Sequence, residues 1–375
     1  MSTIPSYLQL ASTIATTVVA KHAAKVDSDG DFPSEAIASL KRSDLLGLMS
    51  APTVGGMGEG APAAAQVVEI IARECASTAM VLCMHYCGTA VLESSGTEAM
   101  RRRAASGDAL MTLAFSEAGS RSHFWAPVGT AETQGDGVHL YAHKSWVTAA
   151  RHADYYVWSS KPSTALGLST LWLVPRDAKG LDTGGSFDGL GLRGNDSLPV
   201  IATDVVVPAD HRLGVDGGGF DLMMGVVLPL FNACSAGVSV GLMETAIARA
   251  VVHVSGTKHE HMDTSLSQLP TIRNHLARMK CSADAARCLW LDTLAAMVGN
   301  RPDTMLRVLE CKAFAGDTAN EVMDLAMRVC GGAAYRKDVG VERCFRDARA
   351  AGVMAPTTDV LYDFIGKAVC GMDLF

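Results

Sequence analysis

The sequence predicts an α+β protein: a helical N-terminal domain over residues 1–111, a middle β-domain over 112–214 and a C-terminal helical bundle over 215–375. Three observations carry that expectation. Apolar residues recur at helical spacing through the first hundred positions. Short β-branched and aromatic segments bounded by Gly, Asp and Pro then take over. After the turn GVDGGGF (Gly214 to Phe220), long Ala-, Leu- and Met-rich helical texture holds to the end.

In chain order, IASLKRSDLLGLM gives an amphipathic helix, and Gly55, Gly56, Gly58 and Gly60 mark a loop. The run AAAQVVEIIARECASTAMVLCMHYCGTAVLESSG reads as one helix, almost wholly apolar after Glu74, as a helix buried on most sides would be. From about Leu113 the period changes. GVHLYAHKSWVT, ADYYVWSS, STLWLVP and PVIATDVVVP read as strands of a small barrel or sandwich. CSADAARCLWLDTLAAMV and MLRVLECKAFAGDTANEVMDLAMRVC supply bundle helices. Helices, then strands, then helices exclude an alternating parallel-sheet architecture.

Composition narrows the function. With 49% hydrophobic and 19% charged residues the chain is not intrinsically disordered. A net charge of −7 argues against nucleic acid as a partner, since phosphate affinity needs clustered Lys and Arg. No uninterrupted apolar run reaches the roughly 18 residues of a membrane span, so none is expected. No basic segment precedes the apolar residues of MSTIPSYLQLASTIATTVVAKH, so a secretory leader is not expected, and a cytoplasmic protein is. The ten cysteines include no Cys-x-x-Cys pair and most lie in apolar helical patterns, where free Cys packs as a small hydrophobe; no metal site is expected.

Six strings taken in order resemble the acyl-CoA dehydrogenase superfamily of flavoproteins: LAFSEAGSRSHF (113–124), HKSWVTAARHADYYV (143–157), FDGLGLRGNDS (187–197), VVVPADHRLGVDGGGF (205–220), KAFAGDTANEVMDLAMRVCGGAAY (312–335) and VERCFRDAR (341–349). The resemblance covers nearly the whole chain. It implies FAD, an acyl-CoA substrate and a homodimer or homotetramer. The stretch Phe115-Ser116-Glu117-Ala118-Gly119-Ser120-Arg121-Ser122-His123 is similar to the family's Thr-Glu-Pro-x-Ala-Gly-Ser-Asp loop, which implies Phe115 and Ser116 at the flavin ring and Ser122 toward the CoA phosphates. Ala118, Arg121 and His123 depart from the pattern; read alone, the stretch is an ordinary Ser/Gly turn. Lys144-Ser145-Trp146-Val147-Thr148 resembles Lys-x-Trp-Ile-Thr, implying a Trp146 indole over one flavin face and a Thr148 hydroxyl at flavin N5. Gly331 and Gly332 match a Gly-Gly that approaches the ADP half of FAD from a neighbouring subunit, with Arg328 where the family carries Gln. Thr357 and Asp359 are placed on the cofactor side by the same resemblance.

One departure bears on the reaction. The family's catalytic carboxylate, which takes the α-proton while the flavin takes the β-hydride, sits in a Tyr-Glu-Gly-Thr string. Here that stretch reads Met354-Ala355-Pro356-Thr357, with Ala355 at the Glu position, and alanine abstracts no proton. Met354 and Ala355 then line the substrate pocket. Relatives with a base elsewhere place it before an Arg-x-x-Phe-Gly string; that string is absent and its Glu position falls on Gly256 or Lys258, with Glu260 a few residues on. Two enzyme readings follow. One is an acyl-CoA dehydrogenase with a displaced base such as Glu260. The other, favoured, is a flavin-dependent oxygenase of a CoA-bound substrate, using O2 and a flavin reductase or electron-transfer partner. His85, on a helix bordering the pocket in relatives, is its candidate hydrogen-bond donor, although a lone His on an apolar helix is more often a core residue. A non-catalytic flavoprotein is the third class.

Overall fold

In the computed structural model, residues 4–120, 123–135, 137–261 and 263–374 are described. Helix α1 (Ser6–Ile14) runs through a π-turn into α2 (Ala20–Asp29), which stops at Gly30 with φ of 69°, a left-handed conformation that glycine adopts freely. Then come α3 (Ser34–Arg42), α4 (Ala61–Ala72), α5 (Ala76–Ser95) and α6 (Glu98–Ala105). The apolar run read as one helix is therefore two. The chain breaks after Ala72, where Cys75 adopts an extended φ/ψ of −151°/107°. Composition gave no warning, because no Gly or Pro marks the break. Helix α5 is buried around most of its circumference, as its uninterrupted apolar sequence requires.

The middle domain holds two four-stranded sheets. One has the order β1 (Met111–Ala114), β4 (Tyr155–Ser160), β5 (Thr170–Pro175), β8 (Arg212–Leu213). The other runs β2 (Thr130–Gln134), β3 (Gly137–Val147), β7 (Leu198–Pro208), β6 (Leu181–Asp182). Among the described strands of these two sheets, β1 and β4 pair in parallel and the other neighbours antiparallel. Trp158, Trp172, Tyr156, Leu140, Val200 and Val205 form a core shared by both sheets. Helix α5 lies against β1 so closely that a Cβ on Gly88 would stand 2.7 Å from the Met111 Cβ.

A short helix α7 (Gly219–Leu222) leads through a π-turn into α8 (Leu228–Gly256). The stretch Gly219–Gly256 is long and apolar enough to cross a membrane, yet 89% of its most apolar window is buried within the protein, which makes it a core helix. A hairpin of β9 (Lys258–His259) and β10 (Thr264–Ser265) precedes α9 (Pro270–Gly299) and α10 (Thr304–Cys330), which pack with α8 into the bundle. Helices α11 (Val341–Ala348), α12 (Ala350–Val353) and α13 (Thr358–Val369) close the chain.

All three regions meet at α11. Arg346 makes two bonds of 2.7 and 2.6 Å to Asp27 of α2, and donates to the Leu190 carbonyl of the middle domain at 3.2 Å. Beside it, Asp347 accepts from the Leu192 amide at 2.7 Å; burial pushes its carboxyl up to about 6. The strings FDGLGLRGNDS and VERCFRDAR thus form one interdomain joint. It fixes how the C-terminal segment sits against the β-domain.

Candidate active site

The β1 end and the β3 end are tied together by a buried ion pair. Lys144, fully buried, donates to Glu117 Oε1 at 2.6 Å and to Ser159 O and Oγ at 2.6 and 2.8 Å. The other Glu117 oxygen accepts from the Val128 and Gly129 amides at 2.6 and 2.9 Å. Burial pulls the Lys144 ammonium down to about 8, and the adjacent Glu117 opposes that shift. Every polar atom of the pair has a partner, as a buried ion pair needs.

This clamp positions the next residues on both strands. The Ser145 amide donates to Ser116 O at 2.9 Å. Between Lys144 and Val147 strand β3 slips its register against β7, and Trp146 at this bulge has φ of 57°. A bulky residue at positive φ is an outlier held by its surroundings, and such outliers cluster at functional sites. The Trp146 side chain is left 73% exposed. Thr148 is buried beside it, with its hydroxyl 3.3 Å from Ser197 Oγ and its carbonyl accepting from Thr112 at 2.7 Å. Phe115 is buried and stacks on Phe124 at 6.3 Å; Phe124 meets Trp125, which lies 5.9 Å from Phe364 of α13. That aromatic row joins the β-domain loop to the C-terminal helix carrying Thr357 and Asp359 at its start. Ser122 and Arg121 lie outside the described residues.

On the C-terminal side, Met354 and Ala355 are half-buried in the turn between α12 and α13. Thr357 is the N-cap residue of α13, and Asp359 is an exposed carboxylate in its first turn, favourably placed against the helix dipole. The turn is organised by a residue whose role the sequence strings left unassigned. Lys312 of α10 is 1% exposed and donates to three carbonyls: Ala351 at 3.3 Å, Met354 at 3.1 Å and Pro356 at 2.7 Å. Burial pulls its ammonium down to about 7. Its signal was in the sequence: Lys312 falls on the same helix face as Leu309, Ala315, Gly316 and Ala319, all buried.

Two expected residues, His85 and Glu260, stand elsewhere. His85 is a correction. Its ring is fully buried, with Nε2 2.9 Å from the Leu46 carbonyl and Nδ1 accepting from the Met111 amide at 3.1 Å. Those partners fix the neutral Nε2–H tautomer and leave neither nitrogen for a substrate. Burial pulls its pKa from 6.5 down to about 4. The unfolded chain binds the proton at higher pH than the native one does. The stabilisation is therefore complete above about pH 6.5 and is lost as pH falls toward 4, by up to about 3 kcal/mol. In His85→Gln, urea midpoints should fall at neutral pH and the pH 7-to-5 decline should shrink by more than half; an unchanged decline would show that His85 does not carry it.

Glu260 is the second correction. It is exposed in the turn of the β9–β10 hairpin, beside the His259–His261 ring pair at 5.6 Å. That is an open surface position, not the enclosed setting in which a base meets a thioester α-carbon. Arg328, Gly331 and Gly332, expected to meet a neighbouring subunit's cofactor, are exposed at the far end of α10, with Arg328 about 24 Å along the helix from Lys312. The structure does not bring them to the Ala355 turn. A Cβ on either glycine would meet nothing within 4 Å in this chain.

An uncovered indole on a bulge, a half-buried serine and a buried threonine hydroxyl beside it fit a flat heterocycle with a polar edge. The residues present therefore fit an isoalloxazine ring.

The comparisons with known proteins match nearly the whole chain. Residues 6–107, 112–205 and 217–370 match the models of the N-terminal, middle and C-terminal domains of acyl-CoA dehydrogenase. A probable acyl-CoA dehydrogenase of Mycobacterium leprae is 27% identical over 365 residues, spanning 95% of this chain and 92% of its own. Butyryl-CoA dehydrogenase from Megasphaera elsdenii superposes with a TM-score of 0.90 at 23% identity, covering 99% of this chain and 100% of its own. A dibenzothiophene monooxygenase from Paenibacillus sp. A11-2 does so with a TM-score of 0.85 at 19% identity, covering 98% and 97%. With all three domain models matched in order and the β3 bulge and α11 joint built from the strings that resemble the family, the chain belongs to the acyl-CoA dehydrogenase family of flavoenzymes.

Proposed function

We propose that this protein is an FAD-dependent oxygenase of a thioester-bound acyl group, and that it has left α,β-dehydrogenation. The observation that carries the reading is Ala355. The position of the family's base is an alanine in a turn organised by a buried ammonium. Glu260, the alternative carboxylate, is on an exposed hairpin. The fold that this chain shares with the dibenzothiophene monooxygenase supports an oxygenase on such a scaffold. FAD when bound supplies hydride acceptance and, once reduced, electron transfer to O2. The chain's part is to hold it: Trp146 against one ring face, Ser116 and Thr148 at the polar edge, and Phe115 behind the loop. Gly331, Gly332 and Arg328 face outward, where a second copy's cofactor would meet them. The acyl-CoA enters between the loop after β1 and the Met354–Ala355 turn.

The test is a flavin spectrum of the holoprotein under anaerobic conditions while acyl-CoA esters are added. No bleaching is expected, with substrate-dependent O2 consumption appearing once a flavin reductase is supplied. Bleaching by an acyl-CoA alone would restore the dehydrogenase reading. A second measurement addresses the cofactor. Thr148→Val should weaken FAD retention by about two- to tenfold, since one hydrogen bond contributes about 0.5–1.5 kcal/mol. Unchanged flavin content and spectrum in that variant would remove Thr148 from the site.

A further inference from the structure

We propose that the cleft between α9, α10 and α13 binds a protonated primary amine with an apolar body, its ammonium held by Asp317, Glu321 and Thr318. The cleft has a volume of about 450 Å³, in the size range of small-molecule sites. Its lining includes no residue placed at the flavin or at the Met354–Ala355 turn. Gly316, next to Asp317, looks the other way from α10: a Cβ there would stand 3.4 Å from the Ala351 Cβ.

The lining is aromatic on one side and acidic on the other. Phe314 of α10 and Tyr362 of α13 are left 38% and 46% exposed, and Ala285 of α9 extends the apolar flank. Asp317 and Glu321 lie one helical turn apart on α10, so the two carboxylates share a face and repel each other. Among the described residues neither forms an ion pair. Asp317 accepts from the Tyr362 hydroxyl at 3.0 Å, a neutral donor that leaves its charge uncompensated. Burial pushes that hydroxyl up to about 12, and both carboxylates push the same way, so it stays a donor. The cations nearby are committed elsewhere: Arg349 to Asp324 at 2.8 Å, Lys367 to Asp363 at 3.4 Å, and Lys280 to Asp284 and Glu244.

Thr318 points to a ligand independently of those charges. It is 4% exposed and lines the cleft, and among the described residues its hydroxyl has no hydrogen-bond partner. Helical threonines elsewhere in the chain do not leave theirs idle: Thr13 and Thr293 each donate to the carbonyl one turn earlier, at 2.9 Å. A buried hydroxyl without a partner is costly unless something outside the chain supplies one. A primary ammonium carries three N–H donors and no acceptor. Two carboxylates and one hydroxyl oxygen are three acceptors, so every donor finds a partner and the repulsion along α10 is relieved. A quaternary ammonium brings the charge without the donors and leaves Thr318 unsatisfied. The apolar body lies against Phe314 and Tyr362, whose ring faces also attract a cation. Binding involves no covalent or redox step.

The probe is 2-phenylethylammonium, titrated calorimetrically into the FAD-loaded protein at neutral pH. Its neutral counterpart is 2-phenylethanol, and its N-trimethyl derivative keeps the charge without the donors. The primary amine is expected to bind about tenfold or more tightly than either control. Asp317→Asn with Glu321→Gln, at positions outside the core, should weaken the amine by about tenfold or more, and Thr318→Val by about two- to tenfold. Cys281, an exposed thiol lining the same cleft, gives the location: the amine should slow its alkylation, followed by peptide mass spectrometry, and leave that of the exposed Cys370 unchanged. Equal binding of amine and alcohol, or amine binding unchanged by the carboxylate double variant, would overturn the proposal. So would the absence of amine binding; if the double variant then alters the sedimenting mass, the cleft takes a cationic side chain of a second copy instead. Should Thr318→Val not fold, the double variant and the protection of Cys281 decide.

Discussion

Replacing Lys144 by Met is expected to cost about 3–5 kcal/mol of stability and most of the bound flavin. The change leaves the Glu117 carboxylate, 4% exposed, without its cation, and strands the Ser159 carbonyl that also accepts from Nζ. The loss is felt at the proposed cofactor site because the clamp joins the loop that begins at Ser116 to the strand that presents Trp146. The Ser145–Ser116 backbone bond is the next link along. Glu117→Gln should cost less than Lys144→Met. A glutamine carbonyl can still accept from the Val128 and Gly129 amides, and burial lets Lys144 shed its proton, so that its neutral amine accepts from the glutamine NH2. The double variant should then be less destabilised than the sum of the two by about 1–3 kcal/mol, because the second substitution removes a charge that the first had orphaned. Urea midpoints and the flavin absorbance of purified protein measure both effects. A single-variant loss below about 1 kcal/mol with full flavin content would mean that the pair is incidental to the site.

Much of the fold was legible because each domain announces itself by period. The switch near Leu113 from helical to alternating spacing coincides with the first strand at Met111, and the Gly-rich turn at Gly214 precedes the helices of the bundle. What escaped was the break between α4 and α5. An apolar run continues across it, so the hydrophobic pattern that defines a helix is silent about where backbone hydrogen bonding is interrupted. The proposed flavin-facing half of the site was legible as strings, Ser116 with Glu117 and Lys144 with Trp146. Their joining into one clamp was not, because it depends on a pairing between residues 27 positions apart. His85 misled for the opposite reason. The family resemblance suggested a pocket wall, whereas its two ring nitrogens satisfy the Leu46 carbonyl and the Met111 amide, long-range partners that no local pattern encodes. Lys312 was visible as a charge on a buried helix face and still went unassigned. Its meaning comes from three carbonyls some 40 residues further along the chain.

Ala355→Glu is expected to create a base and to harm the native reaction. The substitution sets a carboxylate between the two carbonyls that hold Lys312, at a half-buried position. Paired with that ammonium, the carboxylate stays ionised near neutral pH; without it, burial would push its pKa up and it would take up a proton. An ionised carboxylate beside a thioester α-carbon is a general base, and such groups contribute about 10²–10⁴-fold to proton transfer. Exchange of the butyryl-CoA α-protons into D2O, followed by NMR, should therefore be undetectable with the wild-type protein and rise by that order in the variant. The same charge opposes any negative charge that builds on the acyl group beside it, so substrate-dependent O2 consumption should fall by about tenfold or more. Pro356 in place of the family's glycine restricts φ at the next residue and limits how freely the new side chain can swing. The exchange assay separates a misplaced carboxylate from an absent reaction, since it needs only proton transfer and no electron acceptor. The opposite pattern has a definite meaning. Wild-type protein that already exchanges α-protons of butyryl-CoA and reduces a dye anaerobically possesses a base after all; if Glu260→Gln abolishes that turnover, the hairpin carboxylate supplies it and the oxygenase reading is wrong.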